Sequence, residues 1–187
     1  MAFPSEQDLA EVVGPLAGAL GLDLESITVT RAGAKSAVRV AVDADVRPDL
    51  DQLEELSKAV SAEFDARESS GVLNFGPGYT FEVTTPGLDT PLTELRHFRR
   101  NTGRLVSVGG TTARIAAVDG SGDGAAVWLI RPGERKKDAP QVEPHGLASV
   151  AGALVEVEFS EPPADQRDLV GLDPEKYRAL YAQKDDK

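Results

Sequence analysis

An α+β chain of two small domains is the fold class this sequence predicts: helices on one face of a small three-stranded sheet, joined to a small C-terminal β-barrel. Three observations predict it. Residues 5–64 switch between helical and strand-like apolar spacing, residues 104–159 carry short strands separated by glycine-rich turns, and Pro86-Gly87 lies between the two textures. These changes place an N-terminal α/β domain at 1–88, a barrel with a short helical lead-in at 89–163, and a charged tail at 164–187.

The first helix opens at Ser5, with Asp8 at capping-box spacing, and carries one apolar stripe of Leu9, Val12, Val13, Leu16 and Leu20 before Gly21. Gly14-Pro15 in its middle predicts a bend or a short break, because proline removes a donor and crowds the preceding turn. Two strands follow, Leu24 to Arg31 and Ala37 to Asp43, each alternating at period two like a half-buried hairpin. A second helix starts near Asp49, with Leu50, Leu53, Leu56, Val60 and Phe64 as its apolar face. Residues 66–78 read as a loose stretch, and Tyr79 to Val83 as a third strand. Gly76-Pro77-Gly78 lacks the spacing of a phosphate-binding loop and reads as a plain turn.

Thr93 to Arg100 is a short helical lead-in. Strands are expected at 104–108, 113–118, 126–130, near 141–143 and at 154–159, and that density suggests an SH3-like or Sm-like barrel. Asp119-Gly-Ser-Gly-Asp-Gly124 copies the first half of a calcium loop, but the closing twelfth position is Ile130, so a tight turn is the better reading. Past Pro162-Pro163 the expectation is a solvated tail, with a short helix after Asp173-Pro174 carrying Tyr177, Leu180 and Tyr181 as an adaptable docking segment in the alternative.

Composition narrows function. The chain has 187 residues, no cysteine and a formal charge of −11. Thiol chemistry, disulfides and cysteine metal sites are therefore excluded. No apolar run approaches the ~18 residues of a membrane span, and the start lacks the basic and apolar parts of a signal peptide, so the expected location is the cytoplasm. The acidic balance argues against binding nucleic acid through the overall field; it suits a basic protein partner, or solubility alone. Only two histidines occur. His97 lies among arginines, a poor setting for a cation ligand, and His145 sits in Pro144-His145-Gly146, read as a turn. No nucleophile, base and oxyanion donor come together in a recognised pattern, so no catalytic residue, metal or cofactor is expected. Two cationic clusters stand against this background: Arg96, Arg99, Arg100 and Arg104, and Arg131, Arg135, Lys136 and Lys137. Either is a candidate for local phosphate contact, or is solvated charge.

The segment between the domains holds Pro86, Gly87, Leu88, Asp89, Pro91 and Leu92. Each proline fixes a backbone angle, Gly87 allows a turn closed to other residues, and Leu88 and Leu92 can each plug into a domain core, which together describe a stiff joint. The run Tyr79-Thr-Phe-Glu-Val-Thr-Thr-Pro-Gly-Leu-Asp-Thr-Pro-Leu92, with His97-Phe98-Arg99-Arg100 and Gly103-Arg104-Leu105-Val106-Ser107-Val108 after it, closely resembles the RimP family of ribosome maturation factors. In that family a strand ending E-V-S-S-P-G-L-D-R-P-L joins the domains. Here Thr84-Thr85 replaces the two serines, and Thr90 replaces the arginine along with any contact that arginine makes. The resemblance implies a non-enzymatic factor that binds the free small ribosomal subunit and helps it mature, through small-subunit ribosomal protein number twelve, a basic protein, and nearby rRNA; a monomer is expected. It also implies an α/β N-terminal domain and an Sm-like C-terminal barrel. The rival reading is an Sm-like RNA-binding module acting on small RNAs.

Overall fold

The computed structural model describes residues 3–32, 35–133 and 138–185. The chain divides into two compact units, Met1–Pro86 and Gly87–Lys187.

The first unit runs α1 (Glu6–Ala19), β1 (Asp23–Ala32), β2 (Lys35–Asp43), α2 (Leu50–Ser69) and β3 (Tyr79–Thr84). Both long helices begin in capping boxes. Asp8 N–H donates to Ser5 Oγ at 3.2 Å and Ser5 N–H to the Asp8 carboxylate at 2.9 Å, and Asp49 and Gln52 repeat the exchange. Of the bend or short break expected at Gly14-Pro15, a break does not occur: α1 continues through Pro15, with Leu9, Val12, Val13 and Ala17 held in the core on both sides of the proline. The sheet has the order β1-β2-β3, antiparallel in its first pair and parallel in its second. The α2 crossover makes the parallel pair possible. Register aligns Val29 with Val38 and Val38 with Phe81, and Ile27 with Val40 and Val40 with Val83, so the apolar rows share one face with the helices. On the other face Arg39 meets Glu82 at 3.2 Å, both side chains more than half exposed.

Two further expectations fail in this unit. Leu50, assigned to the apolar face of α2, is 82% exposed, because as the first helical residue it projects beyond the core that starts at Leu53. The stretch expected to be loose is partly helix, to Ser69, and then supplies Leu73 and Phe75 to the core. Phe75 stacks on Tyr79 with ring centroids 4.1 Å apart and also meets Phe64 at 5.2 Å, a pairing that adds to plain burial.

The second unit contains α3 (Leu95–Arg100), β4 (Leu105–Val108), β5 (Thr111–Asp119), β6 (Ala126–Arg131), β7 (Gln141–Gly146), α4 (Leu147–Val150), β8 (Leu154–Val155), α5 (Ala164–Arg167) and α6 (Pro174–Asp185). Its five strands form an antiparallel sheet in the order β7-β6-β5-β4-β8. No ladder joins β7 to β8 among the described residues, so the sheet is open rather than a closed barrel. Only two residues of β8 pair, where a strand over 154–159 was expected. His145 lies in β7, opposite Val127, and not in a turn.

This sheet is buried on both faces. Val127 and Leu129 of β6 enter one core with Leu92, Phe98, Val106, Ile115 and Val150. The alternate residues, Trp128 and Ile130, enter a second core with Ala116, Val142 and Tyr177. The C-terminal segment covers that second face, which corrects the expectation of a solvated tail. Tyr177 is fully buried and stacked on Trp128 at 5.3 Å, while Tyr181 meets the same indole edge-on. The Tyr177 hydroxyl donates to Leu169 O at 2.8 Å and accepts from Leu172 N–H at 2.9 Å, so its polar end is satisfied inside the core. Burial raises the Tyr177 pKa. Arg178 pairs with Asp119, fastening α6 to the end of β5.

Candidate functional site

The segment after β3 makes hydrogen bonds within each of the two units. Within the first unit, Arg47 donates to the Thr85 hydroxyl at 3.3 Å. Within the second, Thr90 N–H donates to Gly87 O at 3.1 Å, closing a four-residue turn over Gly87-Leu88-Asp89-Thr90. Leu92 then bridges Ala153: its N–H donates to Ala153 O, and Gly152 N–H donates to its carbonyl, both at 2.8 Å. Its side chain is buried in the first core of that unit, but Leu88 is 46% exposed and plugs into neither core. Gly87 does not adopt a left-handed conformation. A Cβ there would instead meet the Asp89 carboxylate, a movable group, so the glycine is not demanded by backbone angle.

The first cationic cluster is displayed on α3, whose Phe98 is fully buried and turns positions 96, 99 and 100 away from the core. His97 caps this helix. Its Nδ1 accepts from the N–H groups of Thr93 at 3.0 Å and Glu94 at 3.2 Å, a role its neighbours in sequence did not suggest. The arginines are engaged rather than bare. Arg96 forms an ion pair with Glu94, Arg99 donates to Gly120 O at 2.7 Å, Arg104 donates to Asn101 Oδ1 at 3.4 Å, and Arg100 also has a partner. Of the four, only Arg99 is exposed.

Of the second cluster, Arg131 is described and Arg135, Lys136 and Lys137 lie outside the described residues. Arg131 Nε stands 3.6 Å from Glu143, and His145 Nε2 lies 3.9 Å from the same carboxylate. Burial, followed by the Arg131 charge, holds the His145 pKa below its ordinary value despite Glu143. Two titratable side chains of β7 and one cation of β6 thus share one face of the sheet.

The strongest polar assembly was not anticipated. Arg114, on β5, is 1% exposed and donates to Glu158 through two nitrogens at 2.8 and 2.6 Å, to Gly103 O at 2.9 Å and to Gln166 Oε1 at 3.1 Å. The guanidinium bond is also what lowers the Glu158 pKa. Nothing in the local sequence separates this arginine from an outward-facing strand residue. Among the described residues no three His, Asp or Glu side chains gather as a metal site, and Asp119 of the calcium-like loop is spent on Arg178.

Comparison with known proteins adds the lineage. Residues 12–89 match the model of the RimP N-terminal domain. The ribosome maturation factor RimP of Corynebacterium urealyticum is 45% identical, over 96% of this chain and 97% of that protein. The protein of the same name from Corynebacterium aurimucosum is 48% identical over 88% of each chain, and that of Corynebacterium diphtheriae is 45% identical over 92% of this chain and 94% of its own. With identity at this level running through both units, the chain belongs to the RimP family.

Proposed function

We propose that the chain is a ribosome maturation factor that binds the free small ribosomal subunit in the cytoplasm and assists its assembly as a monomer. The observation that carries this is the similarity to RimP proteins over 96% of the chain, both units included. The family is one of non-enzymatic assembly factors, and the chain is assigned no catalytic step and no cofactor. The partner on the subunit is its basic ribosomal protein number twelve. The net charge of −11 supports this, since an acidic surface steers a basic partner and discriminates against others. Arg99 and the neighbouring Arg96, Arg100 and Arg104 reach adjacent rRNA, as do Arg131, Arg135, Lys136 and Lys137. The N-terminal domain is 1–88, and the domain from 89 onward, which includes the C-terminal segment covering its sheet, is Sm-like, a reading that the five-stranded antiparallel sheet supports. Pro86 to Leu92 is the joint that spaces two weak surfaces for simultaneous engagement.

Sucrose-gradient co-sedimentation with small subunits, large subunits and joined ribosomes across a salt series tests this. The expected result is selective, salt-sensitive movement with free small subunits. Arg99→Glu with Arg100→Glu is expected to weaken that movement and flatten its salt dependence. A protein that stays at the top of every gradient contradicts the proposal.

A further inference from the structure

Strand β8 leaves its ladder early. Leu154 and Val155 pair with Ser107 and Val106, and Glu156 N–H makes a last bond to Leu105 O at 2.9 Å. The chain then continues through Val157, Glu158 and Phe159 with no strand beside it among the described residues. On the side away from β4, Leu92 covers the start of the strand at Gly152 and Ala153, but the N–H and C=O groups of Val157 and Phe159 make no hydrogen bond with any described residue. An edge of this kind is a template for another strand. No lysine or proline interrupts it until Pro162-Pro163, and the charges it carries, Glu156 and Glu158, are both acidic, which turns away acidic strands and leaves it open to a cationic one.

The side chains on this edge suit a partner. Val157 is 54% exposed and Phe159 98%, both at alternate positions beyond the buried Val155. Scattered apolar residues on a surface need no explanation, but two at alternate positions on an unpaired edge match the pockets-and-backbone pattern of strand addition. Glu158, between them, is clamped by the buried Arg114, which fixes the segment before any partner arrives. Residues 154–165 contain Glu156, Glu158, Glu161 and Asp165 and no lysine or arginine. Arg114 neutralises Glu158, and among the described residues the cation paired with Glu161 is the exposed Arg167, 3.8 Å away.

We propose that Val155–Phe159 is a docking edge for an extended, cationic segment of a partner protein. That segment adds to the sheet beside β8, with apolar side chains against Val157 and Phe159 and lysines or arginines against Glu156 and Glu161. The inference rests on the reading above in that the partner is a basic protein of the small subunit, and it adds the surface and the mode of binding.

Amide hydrogen exchange of the full chain, with and without the synthetic peptide acetyl-Lys-Val-Arg-Val-Lys-Val-amide, tests it beside the gradient assay. Two variants accompany the wild type: Phe159→Ser, at a side chain outside every core, and Val157→Pro, which removes an unbonded N–H. The expected result is that the Val157 and Phe159 amides exchange about tenfold or more slowly with peptide, and that each variant binds about tenfold or more weakly. Unchanged exchange at these amides overturns the docking edge, even where the chain co-sediments with small subunits. Protection by peptide without co-sedimentation upholds the edge and overturns the ribosomal reading. Concentration-dependent dimerisation that Phe159→Ser abolishes, without peptide protection, assigns the edge to a second copy and overturns the partner. Protection by a single-stranded oligouridylate in place of the peptide overturns it as well.

Discussion

Strand β2 of the first unit and β6 of the second are both central, yet they carry their apolar residues differently. In β2, Val38, Val40 and Val42 alternate with Ala37, Arg39 and Ala41; the valines enter the helix-covered core, and Arg39 on the other face is more than half exposed. In β6, Ala126-Val-Trp-Leu-Ile130 holds no polar residue at all, and each face feeds a separate core. Alternation needs one cover layer; an unbroken run needs two. The second cover comes from the end of the chain, a mostly polar segment that contributes one fully buried ring, Tyr177. A segment can thus be charged along its length and still be integral to a core.

The contrast can be broken most forcefully at that ring. Tyr177→Ala is expected to cost about 3–5 kcal/mol, the range for removing a large aromatic from a core. Trp128 is the sole tryptophan and stacks on Tyr177, so its fluorescence reports unfolding of the second unit directly. A melting midpoint that does not move would return residues 164–185 to the status of a solvated tail.

The two units also differ in how deeply their ion pairs are buried. Glu158→Ala strands the buried Arg114 charge and is expected to cost about 3 kcal/mol, whereas Glu82→Ala, which breaks the exposed pair with Arg39, is expected to cost less than about 1 kcal/mol. Paired thermal melts followed by circular dichroism distinguish the two, and equal losses would contradict the burial argument. A pH series provides a further check. Because the folded pKa of Glu158 lies below its ordinary value of 4.5, its contribution is complete above that pH and is lost as pH falls below it. Glu158→Gln should flatten the acid limb of the stability profile, and an unchanged limb would exclude this carboxylate as its source. The smallest expected effect is at the joint. Gly87→Val causes no backbone strain, so each unit should unfold with an unaltered midpoint, but it displaces the Asp89 carboxylate, and binding to small subunits should weaken through that displaced group alone. Normal binding would remove the joint from the functional surface.

Much of the first unit was legible in the sequence because its signals are local. Ser5 and Asp8 lie three residues apart, Asp49 stands directly before the second helix, and the strand alternation needs no partner to be recognised. What escaped depends on distant groups. Phe75 lies in a segment without periodicity, Tyr177 is buried only because Trp128 presents a second apolar face, and Arg114 meets Glu158 across 44 positions of sequence. The run at 126–130 was a readable sign that another cover was required. The cationic clusters were visible as composition, but only coordinates show Arg96 turned to Glu94 and Arg99 to Gly120. Leu88 and Gly87 were given roles from the motif alone that their exposure and backbone angle do not support.

The most direct test of the central claim, that this chain matures the small subunit, is to deplete it in its host and measure the rRNA carried by free small subunits. The account predicts that small subunits with unprocessed rRNA accumulate while large subunits are unaffected, and that the wild-type chain restores them. Normal processing of small-subunit rRNA after complete depletion would contradict it.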